Sequence, residues 1–205
     1  SLLLKLTEDH PTIRVAGVTF PSLVTPEGEL FASSQIPYLE RVDMLGWVDK
    51  INELKPDGSI IIHGLSMGGG IALDLATQEM NNVKALVVDA PSYSIEGFFR
   101  DVSKHSFKRG YMEVFIRLLQ RYRKEFGVEA RDYNGAFHLG GGMYPLLLSA
   151  GSNENLDQLL QELKRVNPQP TRIVILPGCN HGNGMYKQTE MYQTAIREFM
   201  DEYMR

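Results

Sequence analysis

Short apolar runs alternate with longer amphipathic segments along most of this chain. The apolar runs predict strands over residues 12–20, 59–63, 83–88, 144–150 and 173–176. The amphipathic segments predict helices over residues 36–54, from the turn after residue 63 to about residue 80, and over 156–166 and 191–204. Apolar runs bounded by turn residues are typical of strands covered on both faces. The pattern therefore predicts an α/β fold, a mostly parallel sheet flanked by helices.

Two stretches interrupt this alternation. Residues 21–34 carry proline, glycine and polar side chains, and we expect a long loop there. Residues 92–142 contain no convincing strand, whereas residues 110–126 have an amphipathic helical pattern. Because this block separates two sheet strands, it predicts a helical cap inserted into a core made of residues 1–91 and 143–205.

The pentapeptide Gly64-Leu65-Ser66-Met67-Gly68 lies between a predicted strand and a predicted helix. This is the context of a G-x-S-x-G nucleophile elbow, a sharp turn that exposes a serine hydroxyl above the strand ends. Residues two before and two after the serine pack closely, so glycine is needed at both. No Gly-Lys-Ser/Thr follows, which excludes a phosphate-binding P-loop.

The composition narrows the class of protein. A chain of 205 residues with 43% hydrophobic and 22% charged residues fits one globular domain. The net charge of −4 disfavours a nucleic-acid binder. The single cysteine, Cys179, excludes an intrachain disulfide and a cysteine-cluster metal site, which fits a cytoplasmic protein. No apolar run reaches the roughly 18 residues of a membrane span, so we expect no stable membrane insertion. The chain does not begin with methionine, and we expect it to belong to a longer polypeptide.

A serine nucleophile needs a base, and His181 is the leading candidate. It follows the last predicted strand, at the sheet edge where parallel α/β proteins place their sites. His63 precedes the elbow on the strand itself, and a packing role fits it better. His10 precedes the first strand, and His105 and His138 fall in the cap insertion.

The base needs an orienting acid from a neighbouring loop. Glu154 follows the strand that precedes the His181 strand and is the leading candidate. Alternatively, Glu154 is a solvated carboxylate at the start of the next helix, where its negative charge interacts favourably with the positive end of the helix dipole. Asp89, at the end of the strand after the elbow helix, is the second candidate acid. Asp157 is a weaker one because the helix has begun.

Four stretches of the chain resemble the α/β-hydrolase superfamily, in particular bacterial serine esterases and lipase-like enzymes with a helical cap. They are HGLSMGGGIALDLA at 63–76, PGCNHG at 177–182, YLERVDMLGWVDKI at 38–51 and YPLLLSAGSNE at 144–154. Ser66, Glu154 and His181 also follow one another in the serine–acid–histidine order of that superfamily. The resemblance implies that Ser66 is the nucleophile and His181 the general base and then acid. It also implies that Glu154 orients the histidine and that the Met67 backbone N–H is an oxyanion donor.

The chain departs from the family pattern in three places. The acid is glutamate where the family usually has aspartate. Phe20-Pro21-Ser22-Leu23 stands where many members carry an Arg-Gly-His-Gly-like turn. Residues 1–9 resemble the end of a helix that follows the loop with the second oxyanion donor, so we expect the first strands and that loop to be absent. Loss of one such donor costs roughly 3 kcal/mol of transition-state stabilisation.

The resemblance implies a serine hydrolase that cleaves a small carboxylic ester through an acyl-enzyme, without a metal or organic cofactor. The alternatives are an amidase or peptidase of the same fold, and a non-catalytic binding protein. A basic stretch at residues 100–124 would either guide anionic substrates or form a plain solvated helix face. The sequence does not define an oligomeric state.

Overall fold

A computed structural model of the protein describes residues 13–17, 22–24, 30–33, 44–54, 56–91, 117, 120–121, 123–124 and 139–203. Its strands are β1 Ile13–Gly17, β2 Ser22–Val24, β3 Leu30–Ser33, β4 Ser59–Leu65, β5 Val83–Asp89, β6 Leu146–Gly151 and β7 Thr171–Leu176. Its helices are α1 Met44–Leu54, α2 Met67–Leu75, α3 Asp157–Val166, α4 Gly184–Lys187 and α5 Thr189–Tyr203, and a 3₁₀ turn lies at Leu139–Gly141.

Five strands form one parallel sheet in the order β1-β4-β5-β6-β7. β5 and β6 are almost completely buried along their length. Strands covered on both faces read as continuous apolar runs, which explains why the sequence pattern identified them. The predicted α/β fold with a mostly parallel sheet is confirmed.

Alternate residues of β4, β5, β6 and β7 point into two separate apolar layers. One layer holds Ile60, Leu86 and Leu148 of the sheet together with α1, α2 and α3. The other holds Ile61, Val87 and Leu147 and is covered by α5 through Tyr192, Ile196, Phe199 and Met200. The sheet therefore has helices on both faces, and each face excludes water from its own core.

The register of the parallel strands brings three loops to one edge of the sheet. Leu65 at the end of β4 is aligned with Asp89 at the end of β5, and Asp89 is aligned with Ser149 of β6. Gly151 at the end of β6 is aligned with Leu176 at the end of β7. The loops that follow β4, β6 and β7 consequently start side by side.

The prediction of a long loop at residues 21–34 is wrong. The structure forms an antiparallel pair there, β2 with β3, with an irregularity in register between Leu23 and Val24. Each strand contains apolar residues with good strand propensity, and the proline, glycine and polar residues that suggested a loop lie between the two strands.

One helix prediction also needs correction, and one helix was not predicted. The elbow helix ends at Leu75 rather than near Met80, because tight turns take over: the Thr77 and Gln78 N–H groups donate to carbonyls only three residues back. The short helix α4 was not predicted, since four residues are too few for a periodic pattern. Over the residues that the structure describes, the other strands and helices agree with the predictions to within about three residues.

Several predictions fall outside the described residues. They concern the start of the first helix before Met44, residues 1–12 and most of the cap insertion, so the division into core and cap stays a prediction. Within the insertion, the described residues 117, 120–121 and 123–124 are helical and exposed. In the described part of the chain, no helix is long and apolar enough to cross a membrane.

Tyr144 connects the chain before β6 to the turn after α2. Its hydroxyl accepts a hydrogen bond from the Met80 N–H at 2.7 Å and lies 3.0 Å from the Gln78 carbonyl oxygen, to which it donates. The side chain is buried. These bonds satisfy backbone groups that no helix or strand partner satisfies.

We expect Tyr144→Phe to lower the free energy of unfolding by about 1–3 kcal/mol, because the buried Met80 N–H loses its acceptor. Chemical denaturation followed by circular dichroism measures this loss. Tyr186→Phe is the matched control, since that side chain is 77% exposed. Equal stabilities of the two variants would contradict the role given to the Tyr144 hydroxyl.

Candidate active site

Ser66 occupies a strained turn between β4 and α2. Its backbone has φ 57° and ψ −118°, a conformation that L-residues rarely adopt. The Ser66 N–H donates to the Asp89 carbonyl at 2.8 Å, and the Ser66 carbonyl accepts from the Gly70 N–H at 3.2 Å. The turn is thus held from β5 on one side and from the first turn of α2 on the other.

The glycines of the elbow are required by contact distances. A Cβ added to Gly64 would lie 2.1 Å from the Gly68 carbonyl oxygen, closer than real Cβ atoms come. A Cβ on Gly69 would lie 3.1 Å from the Pro91 Cα. The chain before the serine therefore touches the chain after it, as a nucleophile elbow demands.

His181 lies on the loop after β7 and reaches the serine. Its Nε2 is 2.8 Å from Ser66 Oγ, and its Nδ1 is 2.6 Å from Glu154 Oε1. The histidine side chain is 53% exposed, whereas that of Glu154 is only 6% exposed. The imidazole therefore bridges a buried carboxylate and a hydroxyl at the site's open side.

Glu154 is fixed by its own loop. Its Oε2 accepts a hydrogen bond from the Gly151 N–H at 2.5 Å, and its own N–H donates to the Gly151 carbonyl at 3.0 Å. The side chain thus folds back toward the end of β6 and presents Oε1 to His181. The family usually has aspartate here, and this folded conformation accommodates the longer side chain of glutamate.

Direct hydrogen bonds join the loop after β6 to the loop after β7. The Asn153 N–H donates to the Cys179 carbonyl at 3.0 Å, and the Gly178 N–H donates to Ser152 Oγ at 2.9 Å. A Cβ on Gly151 would lie 2.3 Å from the Cys179 carbonyl oxygen. Glu154 and His181 are consequently carried by two segments in direct contact.

Asp89, the second candidate acid, lies elsewhere. It is buried on the α5 face of the sheet, where its Oδ1 accepts a hydrogen bond from Ser149 Oγ at 2.9 Å. Its Oδ2 is a buried atom without a hydrogen-bond partner among the residues that the structure describes. Asp157 begins α3 at an exposed position. The carboxylate next to His181 Nδ1 is therefore that of Glu154.

Sequence reasoning missed the surroundings of Asp89. The Tyr192 hydroxyl of α5 lies 3.0 Å from His63 Nε2, which places His63 in a partly buried polar pair. Burial lowers the pKa of His63, and burial, with a smaller contribution from the Asp89 carboxyl, raises the pKa of the Tyr192 hydroxyl. In the sequence, the only indication of this polar environment was an aspartate at the end of one apolar strand and a serine within another. This indication is weak.

Burial raises the pKa of Asp89 from 3.8 to about 6. The hydrogen bond from Ser149, the charge of His181 and the Tyr192 hydroxyl act in the opposite direction, and the charge of Glu154 adds to the increase. Burial therefore disfavours the ionised form of Asp89, and keeping this carboxylate charged in the folded protein costs free energy.

The arrangement is suited to proton transfer and nucleophilic attack. The serine hydroxyl, the imidazole and the carboxylate form a continuous hydrogen-bonded chain, which is the geometry that activates a serine. The Met67 N–H lies at the first position of α2, where backbone donors are free to face an anion. Across the described residues, no group of three or more His, Cys, Asp or Glu side chains could hold a metal ion.

A sequence profile of the family described as serine aminopeptidase, S33, matches residues 38–140, half of the chain. The chain belongs to this family, and its fold is that of an α/β hydrolase. No curated protein gives a significant match.

Solved structures agree on the fold. An α/β hydrolase from a sediment metagenome of the Mar Chica lagoon, Morocco, is 22% identical with a TM-score of 0.52, covering 77% of this chain and 68% of that one. A Pyrococcus furiosus esterase is 18% identical with a TM-score of 0.54, covering 77% and 60%. The proline iminopeptidase of Mycobacterium smegmatis is 12% identical with a TM-score of 0.53, covering 77% and 70%. This chain therefore corresponds to between 60% and 70% of the length of each of these proteins.

The raised pKa of Asp89 has a consequence for stability. A folded-state pKa above the unfolded value means that the folded chain binds more protons between pH 3.8 and about 6, so stability falls as pH rises through that range. The difference of about 2 pKa units corresponds to about 3 kcal/mol.

Wild type loses this stability as pH rises, whereas Asp89→Asn should not. As pH rises from 4 to 7, we therefore expect the variant to become more stable relative to wild type by up to about 3 kcal/mol. Urea denaturation at several pH values measures it. Asp157→Asn is the control, because that carboxylate is exposed. A constant difference between Asp89→Asn and wild type across this pH range would contradict the assignment.

Proposed function

We propose that this protein is a serine hydrolase that cleaves a carboxylic ester through an acyl-enzyme intermediate. The observation that supports this most is the hydrogen-bonded chain from Ser66 Oγ to His181 Nε2, at 2.8 Å, and from His181 Nδ1 to Glu154 Oε1, at 2.6 Å. Residues 115 positions apart meet at the elbow. A chance contact would not also place the carboxylate on the second ring nitrogen.

In the proposed reaction Ser66 Oγ attacks the ester carbonyl carbon while its proton passes to His181 Nε2. The C–O bond to the alcohol then breaks, and the imidazolium returns the proton to the departing alkoxide. Water, deprotonated by His181, then attacks the acyl carbonyl carbon. The C–O bond to Ser66 breaks, the imidazolium returns its proton to Ser66 Oγ, and the carboxylic acid is released. Glu154 accepts the Nδ1–H bond throughout, which fixes the tautomer and stabilises the imidazolium.

The Met67 N–H is the proposed oxyanion donor. As the first residue of α2 it follows the nucleophile directly, and donors at that position bind the tetrahedral oxygen in this fold. The positive end of the α2 dipole supports the same charge.

The proposed substrate is a small-molecule acyl ester. The esterase of Pyrococcus furiosus shares the fold, which favours this chemistry without defining the acyl or alcohol group. The unpaired, buried Cys179 fits the proposed cytoplasmic location. Residues 92–142 are proposed to form the cap over this edge of the sheet.

Fluorophosphonate labelling tests the proposal. Wild type should form a covalent adduct on Ser66, and Ser66→Ala should form none. Ser59→Ala, at the other end of β4, is the matched control and should label like wild type. His181→Ala should label at least about a thousandfold more slowly, because the hydroxyl loses its base. A folded wild-type protein that remains unlabelled would instead favour a non-catalytic binding protein.

A peptidase or amidase is the second candidate function. It is favoured by the family's description as serine aminopeptidase and by the similarity to a proline iminopeptidase. The same three side chains serve both reactions, and the difference lies in protonation of the departing amine by His181.

Hydrolysis of a matched ester and anilide with the same acyl group separates the two. We expect kcat/KM for the ester to exceed that for the anilide by at least about tenfold, and both to disappear in Ser66→Ala. Faster hydrolysis of an aminoacyl anilide than of the corresponding ester would assign the protein to the peptidases.

A further inference from the structure

Hydrogen bonds continue the pairing of β6 with β7 past the last pair of the sheet, Gly151 with Leu176. The Ser152 N–H donates to the Leu176 carbonyl at 3.0 Å, and Ser152 Oγ accepts the Gly178 N–H at 2.9 Å. One residue further along, the backbone pairing continues through the Asn153 N–H. The loops that carry the proposed acid and base therefore leave the sheet side by side.

A further link between these two loops is made by side chains. Asn153 Nδ2 donates to Asn180 Oδ1 at 2.9 Å, and we call this bond the amide clamp. Asn153 directly precedes Glu154, and Asn180 directly precedes His181. The clamp therefore joins the two positions next to the carboxylate and the imidazole, whose own atoms approach to 2.6 Å.

Asn180 also forms the base of the turn that carries the imidazole. Its carbonyl accepts the Asn183 N–H at 3.2 Å, which closes a four-residue turn, and its N–H donates to Asn183 Oδ1 at 2.9 Å. His181 is the second residue of this turn, and the third, Gly182, has φ 68°, which suits glycine. The main chain of Asn180 is thus bonded within the histidine turn, while its side chain is bonded to the loop of the acid.

The clamp lies at the surface, since Asn153 and Asn180 are both exposed. A hydrogen bond between exposed neutral groups contributes little to global stability, because water replaces it when the chain unfolds. It nevertheless restricts where the histidine turn lies relative to the loop of the acid. A displacement of about 1 Å in a catalytic group can cost on the order of a hundredfold in rate. The clamp is therefore placed to affect the reaction more than the fold.

We propose that Asn153 and Asn180 are positioning residues, whose amide clamp holds the histidine turn where the imidazole reaches both Glu154 and Ser66. The proposal rests on the proposed function above. The two asparagines act through the acid and the base rather than on the substrate. Without the clamp the two loops gain freedom, and the bonds at 2.6 Å and 2.8 Å on either side of the imidazole are formed for a smaller fraction of the time.

Asn153→Ala and Asn180→Ala each remove the clamp. With p-nitrophenyl butyrate as the probe, we expect kcat to fall about threefold to tenfold in each variant, the range that one neutral hydrogen bond controls. KM should stay within about twofold of wild type, because the clamp does not bind substrate. In the double variant the loss should equal that of either single variant, since both substitutions remove the same bond.

Asn180→Asp is the conservative variant. Its carboxylate keeps an oxygen that accepts a hydrogen bond from Asn153 Nδ2, so kcat should stay within about twofold of wild type. A loss in Asn180→Ala that Asn180→Asp does not show is expected if the bond itself matters.

A second asparagine pair provides the matched control. Asn82 Nδ2 donates to Asn52 Oδ1 at 2.9 Å, at the edge of the sheet where β5 begins, opposite the strand ends that carry the site. Asn52→Ala removes a bond of the same kind. It should lower the free energy of unfolding, measured by urea denaturation, at least as much as Asn153→Ala does, and leave kcat unchanged.

Exchange of the His181 Nδ1 proton with water, followed by NMR, gives a readout that does not depend on turnover. The hydrogen bond to Glu154 protects this proton. In Asn153→Ala and Asn180→Ala its exchange should be about threefold to tenfold faster, because the protecting bond opens more often. In Asn52→Ala it should match wild type.

Additive losses of kcat in the double variant, or unchanged kcat and proton exchange in both single variants, would overturn the proposal and leave the pair an ordinary surface hydrogen bond. The NMR measurement separates this failure from that of the proposed function. If wild type shows no turnover that depends on Ser66, the hydrolase proposal fails, while exchange of the Nδ1 proton still decides whether the clamp positions the imidazole.

Discussion

The close approach of backbone to backbone at the elbow is the constraint on which the site depends. Gly64 and Gly68 touch, and Ser66 between them takes a positive φ that costs on the order of 1–3 kcal/mol. The surrounding structure maintains this strain: β5 accepts the Ser66 N–H, and the first turn of α2 donates to its carbonyl. A relaxed turn would move Oγ away from the imidazole, and the remaining two side chains would have no partner to activate.

Glu154 and His181 are placed by hydrogen bonds to the backbone of their loops. The loops after β6 and β7 bond to one another through Asn153 and Gly178, and Glu154 is folded back onto the end of β6. Such bonds leave little freedom in the height of either loop above the sheet. They also explain how glutamate serves where an aspartate is usual, because the extra methylene is taken up by the return to the Gly151 N–H.

The sequence carried enough information for the sheet, the elbow and the candidate triad because each depends on local pattern and on strand ends. Buried parallel strands give apolar runs, and Ser66, Glu154 and His181 each follow such a run. The β2–β3 pair and α4 were missed because their short segments contain no complete period. The environment of Asp89 could not be predicted for a different reason. It is assembled from Ser149, 60 positions away, and from the pair that Tyr192 forms with His63 across 129 positions.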